Sequence, residues 1–236
     1  MTDPPSDRFD DLSPPVLSAI AREAFTTGPV LNRTLQRWRP YIVPFDQILR
    51  FIPEGASILD VGCGGGLLGA LVGATRRPRR FVGFDSSSDA IAVARAMSGR
   101  VGSELPGGAF APEFLRLDAG EPWPAGEFDV VTIIDVIHHV PPAHQRDVIL
   151  RAASRLAPGG RLIYKDMTRR GVVRPLMNRL HDLVLARQWI HYADIDLVQA
   201  WLTGSEAGMS VTHRAFHARG WYGHELLVMD KPRSPP

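Results

Sequence analysis

Five short apolar runs, separated by stretches of helical length, place the strongest constraint on the fold of this chain. The runs are Ser57 to Val61, Arg80 to Phe84, Glu113 to Leu117, Asp129 to Ile134 and Gly160 to Tyr164. Several are nearly continuous in Ile, Val, Leu and Phe, which is typical of strands buried on both faces. Alternation of such strands with helices predicts a parallel sheet that helices cover on both sides.

The intervening segments and the C-terminal part complete this pattern. Helices are predicted over Leu67 to Thr75, Ser88 to Ser98 and Ala143 to Leu156. Two further strand-like runs, Met209 to Phe216 and His224 to Met229, are too close in sequence for a crossover helix and should pair as an antiparallel hairpin. The predicted fold class is therefore α/β, with a doubly wound, mostly parallel sheet and an antiparallel hairpin at one edge.

Two segments lie outside this alternation. Residues 1–52 contain two runs of helical character, Val16 to Phe25 and Asn32 to Arg39, and are predicted to form an N-terminal helical cap. Residues 53–236 are predicted to form the main domain, in which 168–208 is a helical insertion. Both extra segments carry bulky aromatic side chains, so we expect them to cover a ligand site.

Composition excludes several classes of protein. The one cysteine among 236 residues, Cys63, rules out an internal disulfide and a cysteine-based zinc site, and no metal is predicted. The formal net charge of +2 is too balanced to imply nucleic acid as an obligatory partner. No apolar run approaches the roughly 18–20 residues of a membrane-spanning helix, and the acidic N-terminus is unlike a secretory signal. We therefore expect a cytoplasmic protein.

A glycine-rich turn follows the first strand, from Asp60 to Gly66, and a helix follows at Leu67. Glycine lets the backbone turn tightly and approach a ligand closely, while the helix N-terminus behind it offers unpaired N–H groups. An ordinary strand-to-helix turn would carry the same glycines. The turn alone therefore leaves a nucleotide-like ligand and a purely structural turn as alternatives.

Carboxylates follow the next two strands. Asp85 ends the second strand, where it can accept hydrogen bonds from two ribose hydroxyls. The alternative for Asp85 is to cap the helix that starts near Ser88. Asp118 follows the third strand, where it can accept the exocyclic amine of an adenine.

These motifs, in this order and spacing, resemble the class I S-adenosylmethionine-dependent methyltransferases. The segment Ile58 to Gly66 is similar to their first motif, and Asp85 and Asp118 resemble their ribose-binding and adenine-side acids. The segment Phe128 to Pro141 is similar to their fourth motif, and Leu156 to Gly160 to the turn before their fifth strand. A dehydrogenase would share the glycine turn, but the Pro-Gly-Gly turn and the terminal hairpin fit it poorly.

The resemblance runs from about Pro53 to Lys231 and implies a Rossmann-like, seven-stranded sheet whose last strand is antiparallel. It also implies S-adenosyl-L-methionine as the cofactor, with S-adenosyl-L-homocysteine as the product. The cofactor-binding residues that it implies are Asp60, Gly62, Cys63, Gly64, Asp85, Ser86, Asp118, Ala119, Ile134 and Asp135.

Candidates for catalysis follow the fourth and fifth strands. A sulfonium methyl group is already activated, so a base is needed only where the acceptor must lose a proton. His139 and His138 can accept a proton near neutral pH, and Lys165 can orient an anionic or carbonyl group. The alternatives are a packing role for the histidines and, for Lys165, an ion network with Asp166 or an exposed strand end.

Polar and aromatic residues of the two extra segments are candidates for the acceptor pocket. They are Trp38, Tyr41, His181, His191 and Tyr192. The alternative is that the aromatic side chains bury the helices against the core and that the polar ones form satisfied internal hydrogen bonds.

A basic amphipathic helix is predicted within residues 169–187, where arginines are frequent and leucines recur at helical spacing. It is predicted to contact a membrane surface or an acidic carrier protein, and the alternative is a solvated helix. The predicted function is methyl transfer to a small or carrier-bound, apolar acceptor such as a polyketide, aryl or acyl intermediate. A non-catalytic S-adenosylmethionine-binding or scaffold protein with the same fold is the alternative. Transfer to carbon, nitrogen or oxygen stays open.

Overall fold

The computed structural model describes residues 11–104, 110–167, 191, 193–206, 208–219 and 222–233. Within them, one mixed sheet has the strand order β3-β2-β1-β4-β5-β7-β6. The strands are β1 (Ser57–Val61), β2 (Arg80–Asp85), β3 (Glu113–Arg116), β4 (Phe128–Ile134), β5 (Leu156–Met167), β6 (Ser210–Arg219) and β7 (Tyr222–Asp230). The β1–β4, β2–β3 and β4–β5 pairs are parallel, whereas β7 is antiparallel to both β5 and β6. The predicted α/β fold with its antiparallel C-terminal hairpin is confirmed.

Helices occupy the segments between the strands. The helices in the described ranges are α1 (Pro14–Ala24), α2 (Val30–Ile42), α3 (Phe45–Leu49), α4 (Leu67–Arg76), α5 (Ser88–Glu104), α6 (Pro142–Ser154) and α7 (Ile195–Thr203), with a 3-10 turn over Ile137–His139. The three predicted inter-strand helices are present as α4, α5 and α6, and the two N-terminal runs as α1 and α2. The sequence analysis did not predict α3, because five residues are too few to show a helical apolar repeat.

The start of β5 differs from the sequence prediction. The strand begins at Leu156 and not at Gly160, because Leu156 already pairs with Phe128. The register then shifts, and Gly159 takes the left-handed φ of 77° that this irregularity requires. The predicted turn before the fifth strand is therefore an irregularity inside a longer strand.

Backbone contacts divide the chain into two compact units. The first unit consists of Met1–Ala56 and Cys63–Arg116, and the second of Ser57–Gly62 and Leu117–Pro236. The chain passes from the second unit back to the first inside the glycine turn. The division into residues 1–52 and 53–236 that the sequence suggested stays a prediction.

In the first unit, α1 organises the N-terminal helices. It packs against α2, α3, α4 and α5. Its buried apolar residues, Leu17, Ile20, Ala21 and Ala24, recur at three- and four-residue spacing and so share one helix face. The N-terminal helices are thereby fixed around α4, the helix that starts at the glycine turn.

In the second unit, β1, β4, β5 and β7 carry the core. Leu59 of β1 pairs with Val131 of β4, and Leu162 of β5 pairs with Met229 of β7, and all four side chains are buried. The outermost strand, β6, is half-exposed along most of its length. None of the helices in the described ranges is both long and apolar enough to span a bilayer.

Candidate functional site

The carboxylate of Asp85 is fixed by backbone amides of the first unit. Gly64 N donates to Asp85 Oδ2 over 2.9 Å, and Ser87 N donates to Asp85 Oδ1 over 2.9 Å. Gly64 has a left-handed φ of 53°, and apart from its chain neighbours no atom of the described residues lies within 4 Å of the position that a Cβ would occupy. The turn therefore places an anchored carboxylate and an open space in the same unit, as the ribose-binding prediction for Asp85 requires.

The helix-capping alternative for Asp85 is wrong. Ala90 N donates to Ser87 Oγ over 3.2 Å, so Ser87 is the side chain that caps α5. Cys63, a predicted cofactor neighbour, is buried, and its backbone N donates to Phe84 O over 3.0 Å. Ser86 is exposed. The cofactor roles of Cys63, Gly64, Asp85 and Ser86 stay predictions.

Gln36 of α2 lies against the glycine turn, and the sequence analysis missed it. A Cβ on Gly65 would lie 2.6 Å from Gln36 Nε2, so the carboxamide rests directly on this glycine. Gln36 is only 9% exposed, and its Oε1 is buried with no hydrogen-bond partner among the residues that the structure describes. A buried acceptor of this kind calls for a donor, and a ligand can supply one.

In the second unit, Asp60 and Gly62 lie at the end of β1. Asp60 is buried, and its Oδ1 accepts a hydrogen bond of 2.7 Å from Thr132 Oγ1 on β4. Gly62 has a φ of 68°, and a Cβ there would lie 2.4 Å from Val136 Cγ2. The backbone after β1 therefore packs closely on the side chain of Val136 after β4, and a side chain at residue 62 would displace Val136.

Asp135 and Lys165 form a pair at the ends of β4 and β5 in which Lys165 is buried and the Asp135 side chain is 12% exposed. Lys165 Nζ donates to Asp135 Oδ1, and Asp135 N donates to Lys165 O over 2.9 Å. The Lys165 side chain is 0% exposed, so the predicted alternative of an exposed strand end is wrong. Asp135 also has a left-handed φ of 57°, which is uncommon for a residue with a side chain and is typical of functional sites.

His138 and Asp166 form a second buried pair in the same unit. His138 is 1% exposed, and its Nδ1 hydrogen-bonds to Asp166 Oδ1 while its backbone N donates to Asp166 Oδ2 over 3.2 Å. Tyr164 OH donates to Asp166 Oδ2 over 3.4 Å. Burial, and then the charge of Asp166, raises the pKa of the Tyr164 hydroxyl well above its usual value, so it remains a donor.

This geometry separates the two histidine candidates. The carboxylate of Asp166 keeps the proton of a neutral His138 ring on Nδ1, so Nε2 is the basic nitrogen. His139 is exposed, and its ring centre lies 4.1 Å from that of His138. The arrangement of a base oriented by a carboxylate therefore favours His138 over His139 as the proton acceptor.

Gln145 of α6 connects the 3-10 turn to His191, a residue of the predicted 168–208 insertion. Its Nε2 lies within 3.1 Å of the carbonyl oxygens of Ile137 and Val140 and within 2.8 Å of that of His191. His191 N in turn donates to His138 O over 2.7 Å. The predicted acceptor residue His191 is thus held next to His138 by its backbone, and its side chain is exposed.

Asp118 and Ala119 lie in a loop of the second unit. Asp118 is exposed, and its Oδ1 accepts a hydrogen bond of 3.2 Å from Gly120 N. Ala119 O accepts hydrogen bonds from Trp123 Nε1 over 3.0 Å and from an Arg151 guanidinium nitrogen over 2.8 Å. The loop is fixed by these contacts, and the adenine-side role of Asp118 stays a prediction.

The remaining acceptor predictions have different outcomes. Trp38 and Tyr41 are 54% and 40% exposed and pack on each other with ring centres 5.4 Å apart. His181, Tyr192 and the basic helix of residues 169–187 lie outside the described residues. Across the described ranges, no group of three or more His, Cys, Asp or Glu side chains could hold a metal ion.

A family model described as a methyltransferase domain matches residues 33–213, which is more than half of the chain. The chain therefore belongs to this family of methyltransferase domains. It is similar to the ubiquinone biosynthesis O-methyltransferase of Xanthomonas axonopodis pv. citri, with 36% identity over 121 residues that cover 51% of this chain and 46% of that protein. The chain thus spans about half the length of the curated relatives that it matches.

Solved structures share the fold. Magnesium protoporphyrin IX methyltransferase from Synechocystis PCC 6803, with bound S-adenosylhomocysteine, is 18% identical at a TM-score of 0.61, over 90% of this chain and 93% of that one. The [4+2]-cyclase SpnF is also 18% identical, at a TM-score of 0.59 and with 80% of each chain covered. Similarity at these identities supports the fold and does not determine the reaction.

Proposed function

We propose that this chain transfers the methyl group of S-adenosylmethionine to a hydroxyl oxygen of a small, apolar organic acceptor. Membership in the methyltransferase domain family supports the reaction class. The relatives named for O-methyl transfer in ubiquinone biosynthesis support a free small molecule over a carrier-bound polyketide. Oxygen as the accepting atom is supported by the buried pair of His138 and Asp166.

The observation that carries the proposal is the pair of His138 and Asp166. A hydroxyl group must lose its proton as its oxygen is methylated, so its methylation benefits from a base. Asp166 orients the ring of His138 and stabilises the imidazolium that forms when Nε2 takes this proton. His138 is therefore assigned as the general base, and Asp166 and Tyr164 as the residues that position it.

The residues at the strand ends fit the cofactor. When bound, S-adenosylmethionine supplies a methyl group activated by the sulfonium charge. In the first unit, Asp85 offers a carboxylate beside the open space at Gly64, and Gln36 offers an unpartnered acceptor oxygen. In the second unit, we assign Asp60 and the peptide groups of Gly62 and Asp135 to the methionine end, and Asp118 to the adenine.

Methyl transfer to paired acceptors tests this proposal. Each hydroxylated aromatic acceptor is presented with labelled cofactor beside the same molecule in which the hydroxyl is already a methyl ether. We expect label transfer to the free hydroxyl only, with a rate that rises with pH as a histidine loses its proton. Transfer to the blocked acceptors, or to carbon or nitrogen acceptors alone, would contradict the proposal.

The second candidate is a cofactor-binding protein that does not transfer methyl groups. The structural similarity to the [4+2]-cyclase SpnF supports it, because that protein is named for another reaction on the same fold. Calorimetric titration with S-adenosylhomocysteine distinguishes the candidates when combined with the transfer assay. Binding of this product without transfer to any hydroxyl acceptor would favour the second candidate.

A further inference from the structure

Helix α2 turns its apolar side chains outward. Of the eight large apolar side chains that are exposed in the described residues, five belong to this one helix: Val30, Leu31, Leu35, Trp38 and Tyr41. Their exposed fractions lie between 40% and 67%. Scattered exposed leucines are ordinary on protein surfaces, but a concentration on 13 residues of helix is not.

The helix is amphipathic in the opposite sense from a helix that packs on a core. At about 100° per residue, the five exposed side chains fall within an arc of roughly 140°. The buried residues of α2 are Gln36 and Pro40, which project from the opposite side. The first unit thus buries Gln36 and Pro40 of α2, with Gln36 against the glycine turn, and leaves the apolar face of the helix exposed.

Positive charge borders this apolar face. From Thr26 to Phe45 the chain contains three arginines, Arg33, Arg37 and Arg39, and no acidic residue. On the same helical wheel, Arg37 and Arg39 project from the two borders of the exposed arc. Long arginine side chains can cover apolar surface with their stems while the guanidinium reaches a polar layer.

We propose that α2 docks on an anionic lipid bilayer, with its apolar face at the boundary between headgroups and acyl chains and with Arg37 and Arg39 on lipid phosphates. The three features that such helices combine are present: an apolar face, basic borders, and the aromatic pair Trp38 and Tyr41, of the kind that favours the membrane interface. A second copy of this chain is a poor occupant, because a symmetric contact would bring the arginines of both copies together.

The proposal is independent of methyl transfer, since vesicle binding can be measured without an acceptor. The full chain is sedimented with vesicles of phosphatidylcholine mixed with phosphatidylglycerol, and with vesicles of phosphatidylcholine alone. We expect binding to the anionic vesicles that weakens with salt, and much weaker binding to the neutral ones. Absence of binding to the anionic vesicles would overturn the proposal.

Two variants assign the binding to α2. The double variant Leu31→Ser/Leu35→Ser should lower vesicle affinity by about tenfold or more, and Arg37→Gln by about fivefold. The matched control is Leu197→Ser on α7, which removes a leucine that is 52% exposed elsewhere. All these positions are exposed, so we expect unchanged thermal unfolding for each variant.

The other outcomes are decisive as well. If Leu197→Ser weakens binding as much as the α2 variants, the contact is non-specific and the proposal is wrong. Sedimentation equilibrium measures the alternative occupant. A wild-type dimer that the Leu31→Ser/Leu35→Ser variant converts to a monomer would make this face an interface between copies, and would overturn the lipid assignment.

Discussion

In the first unit the strand-end carboxylate of Asp85 bonds two backbone amides. In the second unit the carboxylates of Asp135 and Asp166 each bond a buried side chain, and Asp166 also accepts from the backbone amides of His138 and Met167. Asp85 takes its hydrogen bonds from Gly64 N and Ser87 N, in a part-buried to exposed setting. Asp135 pairs with Lys165 and Asp166 pairs with His138, and the side chains of Lys165 and His138 are almost fully buried. The same type of residue at the same type of strand end therefore stands in two different environments.

This difference determines what a substitution leaves behind. Backbone amides remain in place whatever replaces Asp85, and water can reach them. When the aspartate that bonds a buried lysine or histidine is replaced, that side chain stays buried without its partner. The resulting loss of unfolding free energy exceeds what the intact pair contributes. We therefore expect larger effects at the Lys165–Asp135 and His138–Asp166 pairs of the second unit than at Asp85 in the first.

The largest effect is expected at His138. Replacement of His138 by Gln removes the base and keeps a side chain that can bond Asp166, so turnover of a hydroxyl acceptor should fall by about 10²–10⁴-fold. The matched control is His139→Gln, whose ring is adjacent but exposed. Equal losses in both variants, or no loss in His138→Gln, would show that Asp166 does not define the catalytic histidine.

Product binding separates catalysis from folding in this experiment. Both variants should bind S-adenosylhomocysteine with the affinity of the wild type in calorimetric titration. The rate of the wild type should rise with pH and then level off, because a base acts only in its unprotonated form. This pH dependence should disappear from the residual activity of His138→Gln.

The next largest effect is expected on stability at Lys165. Lys165→Met leaves the carboxylate of Asp135, whose side chain is 12% exposed, without its cation, which should lower the free energy of unfolding by about 3 kcal/mol. The double variant Lys165→Met/Asp135→Asn removes both charges and should recover a large part of this loss in denaturant unfolding. The other lysine of the chain, Lys231, is the matched control, because its Nζ donates to an uncharged group, the carbonyl oxygen of Leu156. A loss in Lys231→Met as large as in Lys165→Met would contradict the assignment.

The sequence was sufficient to predict the strands, the hairpin and the positions of the strand-end acids. These features depend on local sequence patterns: continuous apolar runs, a glycine-rich turn, and an aspartate directly after a strand. The pairings of these acids could not be predicted. The sequence suggests Asp166 as the partner of Lys165, because the two are adjacent. On a strand, however, the side chains of adjacent residues point to opposite faces. Lys165 therefore meets Asp135 on one face, and Asp166 meets His138 on the other.

Helix α2 shows a second limit of sequence reasoning. An amphipathic pattern does not state which face is buried, and the usual assumption places the apolar face inside. Here the buried side chains include Gln36, and the exposed ones include Leu35 and Trp38. A helical wheel of α2 could have indicated this, because Gln36 and Pro40 are four residues apart and share the face opposite to the apolar arc.

A smaller effect is expected at Asp85 in the first unit. Asp85→Ala should weaken the binding of S-adenosylhomocysteine by about 1–3 kcal/mol, because ribose hydroxyls would lose their acceptor. The free energy of unfolding should change less than in Lys165→Met, since no buried side-chain charge is left behind. The control is Ser86→Ala, an exposed neighbour. Unchanged product affinity in Asp85→Ala would remove Asp85 from the cofactor site.

The Gln36→Leu variant tests whether the unpartnered oxygen on α2 serves a ligand. Leucine has a similar volume and removes a buried acceptor that has no partner in the described residues, so the free energy of unfolding without ligand should rise by about 1 kcal/mol. Product affinity should fall by a similar amount if Oε1 accepts a hydrogen bond from the bound molecule. A rise in stability with unchanged product affinity would assign Gln36 to packing alone. The Gln36→Glu variant, which keeps an acceptor, should retain more of the affinity than Gln36→Leu.

The smallest effect is expected for an ion pair away from these sites, between Arg161 on β5 and Asp230 on β7. Two guanidinium nitrogens of Arg161 bond the carboxylate of Asp230 over 2.7 and 2.9 Å, and both side chains are about one third exposed.

The hydrogen bond from Arg161 lowers the pKa of Asp230 below its usual value. The pair therefore stabilises the fold above the pKa of the unfolded carboxyl, and this contribution is lost as the pH falls through the folded pKa. Solvent screening keeps the contribution to about 1 kcal/mol or less. Asp230→Asn should therefore be slightly less stable than the wild type in urea unfolding at neutral pH, and this gap should narrow as the pH falls below the usual pKa of an aspartate and through the lowered folded pKa. If Asp230→Asn loses as much unfolding free energy at neutral pH as Lys165→Met, or if its loss persists in acid, then burial does not explain why the two pairs differ in strength.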